Sequence, residues 1–183
     1  LALSRADASA IGAQPMQRVD LKNLCESVLQ VHLDAASAKQ IDLGLEAQTA
    51  QVWGYEWLLR ELLANLVDNA VKYTPPGGTV TLRCSPVAGS DPALPPEPGE
   101  AAAGMVRGAA VLEVEDDGPG IAPAERAMAL QRFYRVRGTG GEGNGLGLAI
   151  ADEIARLHRS QLELGFAVRS GDTPHGLRVR LRL

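Results

Sequence analysis

Residues 56–73 read Glu-Trp-Leu-Leu-Arg-Glu-Leu-Leu-Ala-Asn-Leu-Val-Asp-Asn-Ala-Val-Lys-Tyr. Leu58, Leu59, Leu62, Leu63, Leu66, Val67 and Ala70 recur at the i, i+3, i+4 interval of a buried helical face. Glu61, Asn65, Asp68, Asn69 and Lys72 fall on the other side, because residues four apart stand one above another. An ordinary solvated face is the plain reading of that polar stripe. Two asparagines argue against it, since the Asn amide competes with the helical backbone for hydrogen bonds. Stacked four apart, with Glu61 a turn earlier, they read as residues kept for something other than stability. The helix stops at Pro75-Pro76-Gly77-Gly78.

Upstream, Asp20 offers an N-cap, with Val19 and Leu24 placed as a hydrophobic staple. The helix it opens runs to about Lys39, with Leu21, Leu24, Val28, Val31 and Ala35 on its inner face. Ile41 to Glu46 alternates as a half-buried strand, and Gln51 to Trp53 reads as a second short one. Residues 1–9 read as the frayed end of a helix, followed by a linker through Gly12, Gln14 and Pro15. Downstream, Thr79 to Cys84 alternates again, and residues 85–104, rich in Pro, Gly and Ala, read as an exposed excursion. Ala109 to Asp116 is the most apolar strand, and a short helix is predicted over 123–131. Residues 134–144 hold Gly138, Gly140, Gly141 and Gly143 and no core former, as a flexible lid would. Leu146 to His158 reads as a helix with Leu146, Ile150, Ile154 and Leu157 on one face. Strands at about 161–168 and 176–183 close the chain. The pattern predicts an α+β sandwich, one mixed sheet with helices packed on one face.

At 183 residues the chain is long enough for one domain with a real core. A net charge of −4 argues against general nucleic-acid binding, which shows a basic stripe. Cys25 and Cys84 have no metal-ligand spacing and read as buried free thiols. No apolar run reaches the roughly 18 residues of a membrane span. The chain begins at Leu1, so it reads as a fragment of a longer protein whose other part could be membrane-bound.

Three glycine-containing stretches could carry chemistry. Asp116-Asp117-Gly118-Pro119-Gly120 ends a strand. It is either a plain turn or a carboxylate held rigidly to accept an exocyclic amine such as that of adenine. Gly143-Asn144-Gly145-Leu146-Gly147-Leu148 opens a helix, where bare backbone amides suit a phosphate. It lacks the Gly-Lys-Ser/Thr of a Walker motif. The cluster Gly138, Gly140 and Gly141 by itself indicates only mobility.

The order of these boxes is more specific than any one of them. Asn65-x-x-x-Asn69 with Lys72-Tyr73 comes first, then Asp116-x-Gly118-x-Gly120, Arg132-Phe133-Tyr134-Arg135, the glycine-rich lid, and Gly145-x-Gly147-Leu148. Over residues 19–183 this resembles the catalytic, ATP-binding domain of bacterial two-component sensor histidine kinases. Those belong to the GHKL superfamily shared with gyrase, the heat-shock 90 chaperones and the MutL repair proteins. The resemblance implies a Bergerat-type two-layer sandwich with a mostly antiparallel sheet, binding ATP and Mg²⁺. It implies that Asn65, Asn69 and Glu61 form a catalytic stripe, with Asn69 holding Mg²⁺, Asn65 lining the same phosphate side and Glu61 the nearest carboxylate on that helix face. Lys72 and Tyr73 would line the nucleotide. Asp116 would bind the adenine amine, and Gly118, Gly120 and Ile121 would shape that wall. Phe133 would anchor the lid by packing into the domain, and Arg135 would reach a phosphate. Gly143, Gly145, Leu146, Gly147 and Leu148 would form the phosphate-side turn.

Residues 1–18 would then be the tail of the dimerisation and phosphoacceptor hairpin plus a linker. The expected partners are that hairpin and a response regulator, with the fragment monomeric and the full-length protein a homodimer. The expected location is cytoplasmic, below a parent anchored in the inner membrane. His32, His158 and His175 lack the acceptor's sequence context and read as structural residues. Asp117 stands where relatives often carry Asn, and is expected to point away from the base. Leu177 stands where many carry Thr, which removes a hydroxyl from the adenine side. A hydrolase of the same superfamily and a non-catalytic ATP-sensing module are the alternatives. The superfamily's hydrolases carry a water-activating glutamate at the position of Asn65, whose amide is no base.

Overall fold

The computed structural model describes residues 16–88, 110–136, 144–167 and 175–183. The elements, in order, are β1 (Gln17–Asp20), α1 (Leu21–Ala38), β2 (Asp42–Ala47), β3 (Gln51–Gly54), α2 (Glu56–Tyr73), β4 (Thr79–Pro86) and β5 (Ala110–Asp116). A single 3₁₀ turn (Pro123–Glu125) leads into α3 (Arg126–Ala129), followed by α4 (Gly147–Leu157), β6 (Leu162–Gly165) and β7 (Leu177–Arg182). The main sheet has the order β2-β4-β5-β7-β6. Only β2 and β4 run parallel, and the other pairs are antiparallel. Helices α1 and α2 pack against β4, with α1 also on β2, α2 also on β5, and α4 against α2. This is the α+β sandwich that the periodicity predicts.

Helix α2 spans the predicted residues and buries Leu58, Leu59, Leu62, Leu63, Leu66, Val67, Ala70 and Val71. Each of the larger side chains contributes about 1.5–3 kcal/mol on leaving water, before chain entropy is counted. At the start of α1, the Asp20 carboxylate accepts the Asn23 N–H at 3.1 Å, and Val19 and Leu24 are both buried as the staple requires. The inner face of α1 differs from expectation. Leu21, Leu24, Cys25, Val28, Leu29 and Ala36 are buried, whereas Val31 is 78% exposed and Ala35 is also exposed. The buried positions pair i with i+1 in two successive turns, at Leu24 and Cys25 and at Val28 and Leu29, and this stripe passes Val31 by. Leu157 likewise lies outside the core, because α4 buries Ala149, Ala151, Asp152, Ile154 and Ala155 instead. Strand β1 was not expected. It is four residues long, too short to show alternation, and it pairs with β3 so that Val19 faces Val52. The helix predicted over 123–131 is shorter, a 3₁₀ turn followed by four helical residues. The 1–9 helix end and most of the 85–104 excursion lie outside the described residues.

His158 is a structural residue. Its Nδ1–H donates to the Ile154 carbonyl at 2.9 Å, which leaves Nε2 bare to accept the Tyr55 N–H at 3.1 Å. The C-terminus of α4 is thereby tied to the N-terminus of α2, and burial holds the imidazole pKa below its usual value. Cys25 and Cys84 are free and buried. The adjoining Cys84 thiol and burial keep the Cys25 thiol protonated. Among the described residues no helix is long and apolar enough to cross a membrane.

The face of the sheet away from the helices carries charge in register. Glu46, Arg83, Glu113, Arg180 and Glu163 are successive partners across β2, β4, β5, β7 and β6. Arg83 bridges Glu46 at 2.7 Å and Glu113 at 3.6 Å, and also pairs with Glu115. Arg180 reaches Glu113 at 3.1 Å and Arg178 reaches it at 4.0 Å. Glu113 is the hub, nearly buried among three guanidinium groups. Removing Glu113 takes the shared carboxylate from Arg180 and Arg178, while Arg83 keeps Glu46 and Glu115. Glu113→Ala should therefore lower stability by about 2 kcal/mol in urea denaturation, discounted for the partial exposure of the arginines. Glu163→Ala at the exposed end should cost about 0.5 kcal/mol or less.

Candidate functional site

On β5 the helix-facing positions are Ala110, Leu112, Val114 and Asp116. Three fill the core, and the fourth is a carboxylate at the same parity. Asp116 therefore points between the sheet and the helices, and the core is left open there. A cavity of about 260 Å³ occupies the opening. Val114, Leu177 and Val179 of the sheet and Leu66, Ala70 and Ile150 of the helices form its apolar lining.

Asp116 is buried and still largely available. One oxygen, Oδ1, accepts the Gly118 N–H at 2.9 Å and the Leu177 N–H at 3.2 Å, which clamps the carboxylate across β5 and β7. Burial pushes its pKa up to about 6, although both backbone hydrogen bonds favour the ionised form. Gly118 does not line the cavity; it supplies an N–H to Asp116, and a side chain there would meet the Tyr73 carbonyl at 2.9 Å. Gly120 and Ile121 do line the wall. Asp117 turns away, since its Oδ2 accepts the Thr79 N–H at 2.9 Å.

Facing Asp116 is the polar stripe of α2. Asn65, Asn69, Lys72 and Tyr73 all line the cavity. Glu61 does not, and its role is different. The Asn65 Nδ2 donates to the Glu61 carbonyl at 2.8 Å and to Glu61 Oε1 at 3.2 Å. Both amide hydrogens are used there, so Oδ1 is the atom that Asn65 can offer the cavity. Asn69 packs on the first turn of α4, where a Cβ on Gly147 would meet its amide at 2.6 Å. The Lys72 ammonium lies 5.5 Å from the Tyr73 ring centroid. Two amide oxygens on one helix face suit a hard cation that takes oxygen ligands and retains waters, as Mg²⁺ does.

Gly145, Leu146, Gly147, Leu148 and Arg135 line the far side of the cavity. The Phe133 N–H donates to the Gly145 carbonyl at 2.9 Å, so the two ends of the intervening loop are pinned together. Arg132 adds a 2.6 Å bridge to Glu153 of α4, and the Tyr134 hydroxyl donates to Glu125 at 2.8 Å. Phe133 is not an internal anchor. It is 73% exposed with φ at +67°, and its backbone rather than its ring holds the loop. Gly143 lies outside the described residues. Asp68, Tyr134 and Asn144 also line the cavity and were not singled out from the sequence. The i+3 spacing of Asp68 from Asn65 was the available signal for the first.

This arrangement has known counterparts. Residues 54–183 match the family of histidine kinase-, DNA gyrase B- and HSP90-like ATPases. The chain belongs to this family. It is similar to the sensor protein kinase PmrB of Pseudomonas aeruginosa, 37% identical over 166 residues, which are 90% of this chain and 31% of that protein. The chain spans about a third of the length of the curated relatives it matches. Among solved structures, the mycobacterial sensor histidine kinase MprB superposes with a TM-score of 0.71 at 28% identity, covering 92% of this chain and 96% of that one. Full-length ShkA in complex with AMPPNP superposes with a TM-score of 0.67 at 26% identity, covering 91% of this chain and 30% of that one. The family match and both superposed structures agree with the fold described above.

Two glycines of the site should respond differently to the same change. A Cβ at Gly176 would lie 2.1 Å from the Asp116 carbonyl, and φ there is +72°. Gly176→Ala should cost about 2–4 kcal/mol in denaturant unfolding, because backbone cannot step aside. A Cβ at Gly147 would displace only the Asn69 side chain. Gly147→Ala should stay within about 1 kcal/mol of the parent, with its defect confined to the cavity.

Proposed function

We propose that this chain is the ATP-binding catalytic domain of a sensor histidine kinase. It transfers the γ-phosphoryl group of ATP to a histidine on a dimerisation hairpin of the same protein, for relay to a response regulator. The observation that carries the reading is one cavity faced on one side by Asp116 and on the other by Asn65 and Asn69. The family membership and the resemblance to sensor kinases support it. Asp116 accepts the exocyclic amine of adenine, and the apolar walls at Leu66, Val114, Leu177 and Val179 take the faces of the base. Lys72, Tyr73 and Arg135 line the run toward the phosphates, and Gly145, Leu146, Gly147 and Leu148 offer backbone amides at the start of α4. Asn69, with Asn65 beside it, would hold Mg²⁺, which would supply neutralisation of phosphate charge.

Phosphoryl transfer asks the protein for alignment and charge neutralisation more than covalent chemistry. A neutral imidazole nitrogen of the acceptor forms the new P–N bond as the bond from the γ-phosphorus to ADP breaks, and needs little help from a base. Asn65 supports this partition, because an amide cannot activate water. The hairpin tail and linker expected over residues 1–18 end before β1 in this reading, because Gln17 and Arg18 pair with Gly54 and Trp53 of this domain. The full-length protein is a homodimer through that hairpin, with its sensor region in the inner membrane and this domain on the cytoplasmic side.

A hydrolase reading draws on one observation, the Asp68 carboxylate on the cavity wall. The two readings separate in an ATPase assay. Under the kinase reading Asn65→Glu raises background hydrolysis and Asp68→Asn leaves it unchanged. Transfer of labelled phosphate to a separately supplied acceptor hairpin is the direct test, and its absence alongside brisk hydrolysis would favour the hydrolase.

Nucleotide binding should also depend on pH. The amine contact is strongest with the ionised carboxylate, so affinity is full well above about 6, the raised pKa of Asp116, and falls as the pH drops through it, levelling off at the affinity of the neutral side chain. Asp116→Asn should weaken binding at pH 8 by roughly ten- to hundredfold, from about 1.5–3 kcal/mol for a charged hydrogen bond. It should also abolish this part of the pH profile in calorimetric titration. The ligand-free domain behaves oppositely. A raised acid pKa means that the ionised group opposes folding once the pH exceeds the unfolded value. Asp116→Asn should therefore raise the ligand-free Tm at pH 8.

A further inference from the structure

The geometry points to Lys39 as a positioning residue for the nucleotide cavity, acting through the C-terminal turn of α2. This rests on the reading of the cavity as a nucleotide site. Lys39 does not line the cavity and stands at the C-cap of α1. Its ammonium donates to three carbonyls at once: Val71 at 2.7 Å, Lys72 at 2.9 Å and Thr74 at 2.7 Å. Three hydrogens meet three acceptors, which is the full capacity of an ammonium group.

The last four carbonyls of a helix lack partners within it. In α2 these belong to Ala70, Val71, Lys72 and Tyr73. The Thr74 N–H takes the first at 3.0 Å. Lys39 takes the second and third and adds the carbonyl of Thr74 beyond the helix. The fourth, Tyr73, closes on Gly118, where a Cβ would meet it at 2.9 Å. No backbone donor replaces Lys39, because the chain leaves the helix through Pro75 and Pro76. The ammonium also sits at the negative end of the helix dipole, which carries roughly half an elementary charge.

The consequence reaches the site by a short route. Lys72 and Tyr73 line the cavity, and their backbone is what Lys39 grips. The Tyr73 carbonyl abuts Gly118, whose N–H holds Asp116. The corner is locked from the other side as well, since the Gly77 N–H donates to the Lys39 carbonyl at 3.0 Å. One lysine thus sets both the end of α2 and its spacing from the strand that carries Asp116.

The test is binding of MgATP to Lys39→Met, measured by calorimetry well below the melting temperature, with hydrogen exchange on the ligand-free protein. The expected result is a Kd raised at least fivefold, with faster exchange at the amides of Thr74 and Gly77. Loss of Tm with an unchanged Kd would overturn the inference, because it would make Lys39 a structural cap only. Lys39→Gln keeps donors without the charge and covers the case where the Met variant does not fold. It should bind at an intermediate affinity, and a parental Kd in that variant would equally overturn the inference. Failure of the unaltered chain to bind MgATP would overturn the reading of the cavity itself, a result distinct from equal binding by parent and variant.

Discussion

Burial of one face of α2 decides where its other face points. Eight apolar side chains, from Leu58 to Val71, lock the helix against α1, α4 and the sheet, and none can turn out without opening the core. The polar stripe is thereby aimed at the place where the sheet's core-facing row ends in a carboxylate. The cavity is the end of the hydrophobic core left unfilled. Its apolar walls at Leu66, Val114 and Val179 are core residues, and its polar groups come from the stripe of α2, the end of β5 and the segments before α4.

That origin explains what could be read in advance. The α2 boundaries and both its faces were legible, because eighteen residues give five turns of consistent period. Gly118 and Gly147 were legible as parts of motifs, though each acts by proximity, Gly118 to Tyr73 and Gly147 to Asn69, while Gly176, pressed on the Asp116 backbone, belonged to no motif. Val31 and Phe133 were misplaced for a shared reason. Periodicity and resemblance both treat a large apolar side chain as buried, while the neighbours that would cover it come from elsewhere in the chain. Strand β1 was hidden because pairing with β3, not its own four residues, makes it a strand. The grip of Lys39 on α2 spans more than thirty positions and leaves no local pattern.

Asp116 shows the tension in such a site. Its burial opposes ionisation, while two backbone N–H groups and its position beside a cavity keep an oxygen in place for a ligand. A side chain of the same size and no charge would suit the empty fold better. Retention of a carboxylate at a core-facing position is therefore a statement about function, of the kind the two asparagines of α2 make less directly.

The charged row on the outer face of the sheet has an end as well as a middle. The sheet's two edges are β2 and β6, and the row terminates in Glu46 on one and Glu163 on the other. A second copy that tried to extend the sheet by laying its β6 along β2 in the continuing register would set carboxylate against carboxylate. Self-pairing of β2 with β2, or of β6 with β6, at that level meets the same opposition. An odd number of strands with strictly alternating sign makes both borders negative. The lattice that ties the described five strands to one another therefore also disfavours edge-to-edge pairing of two copies in that register.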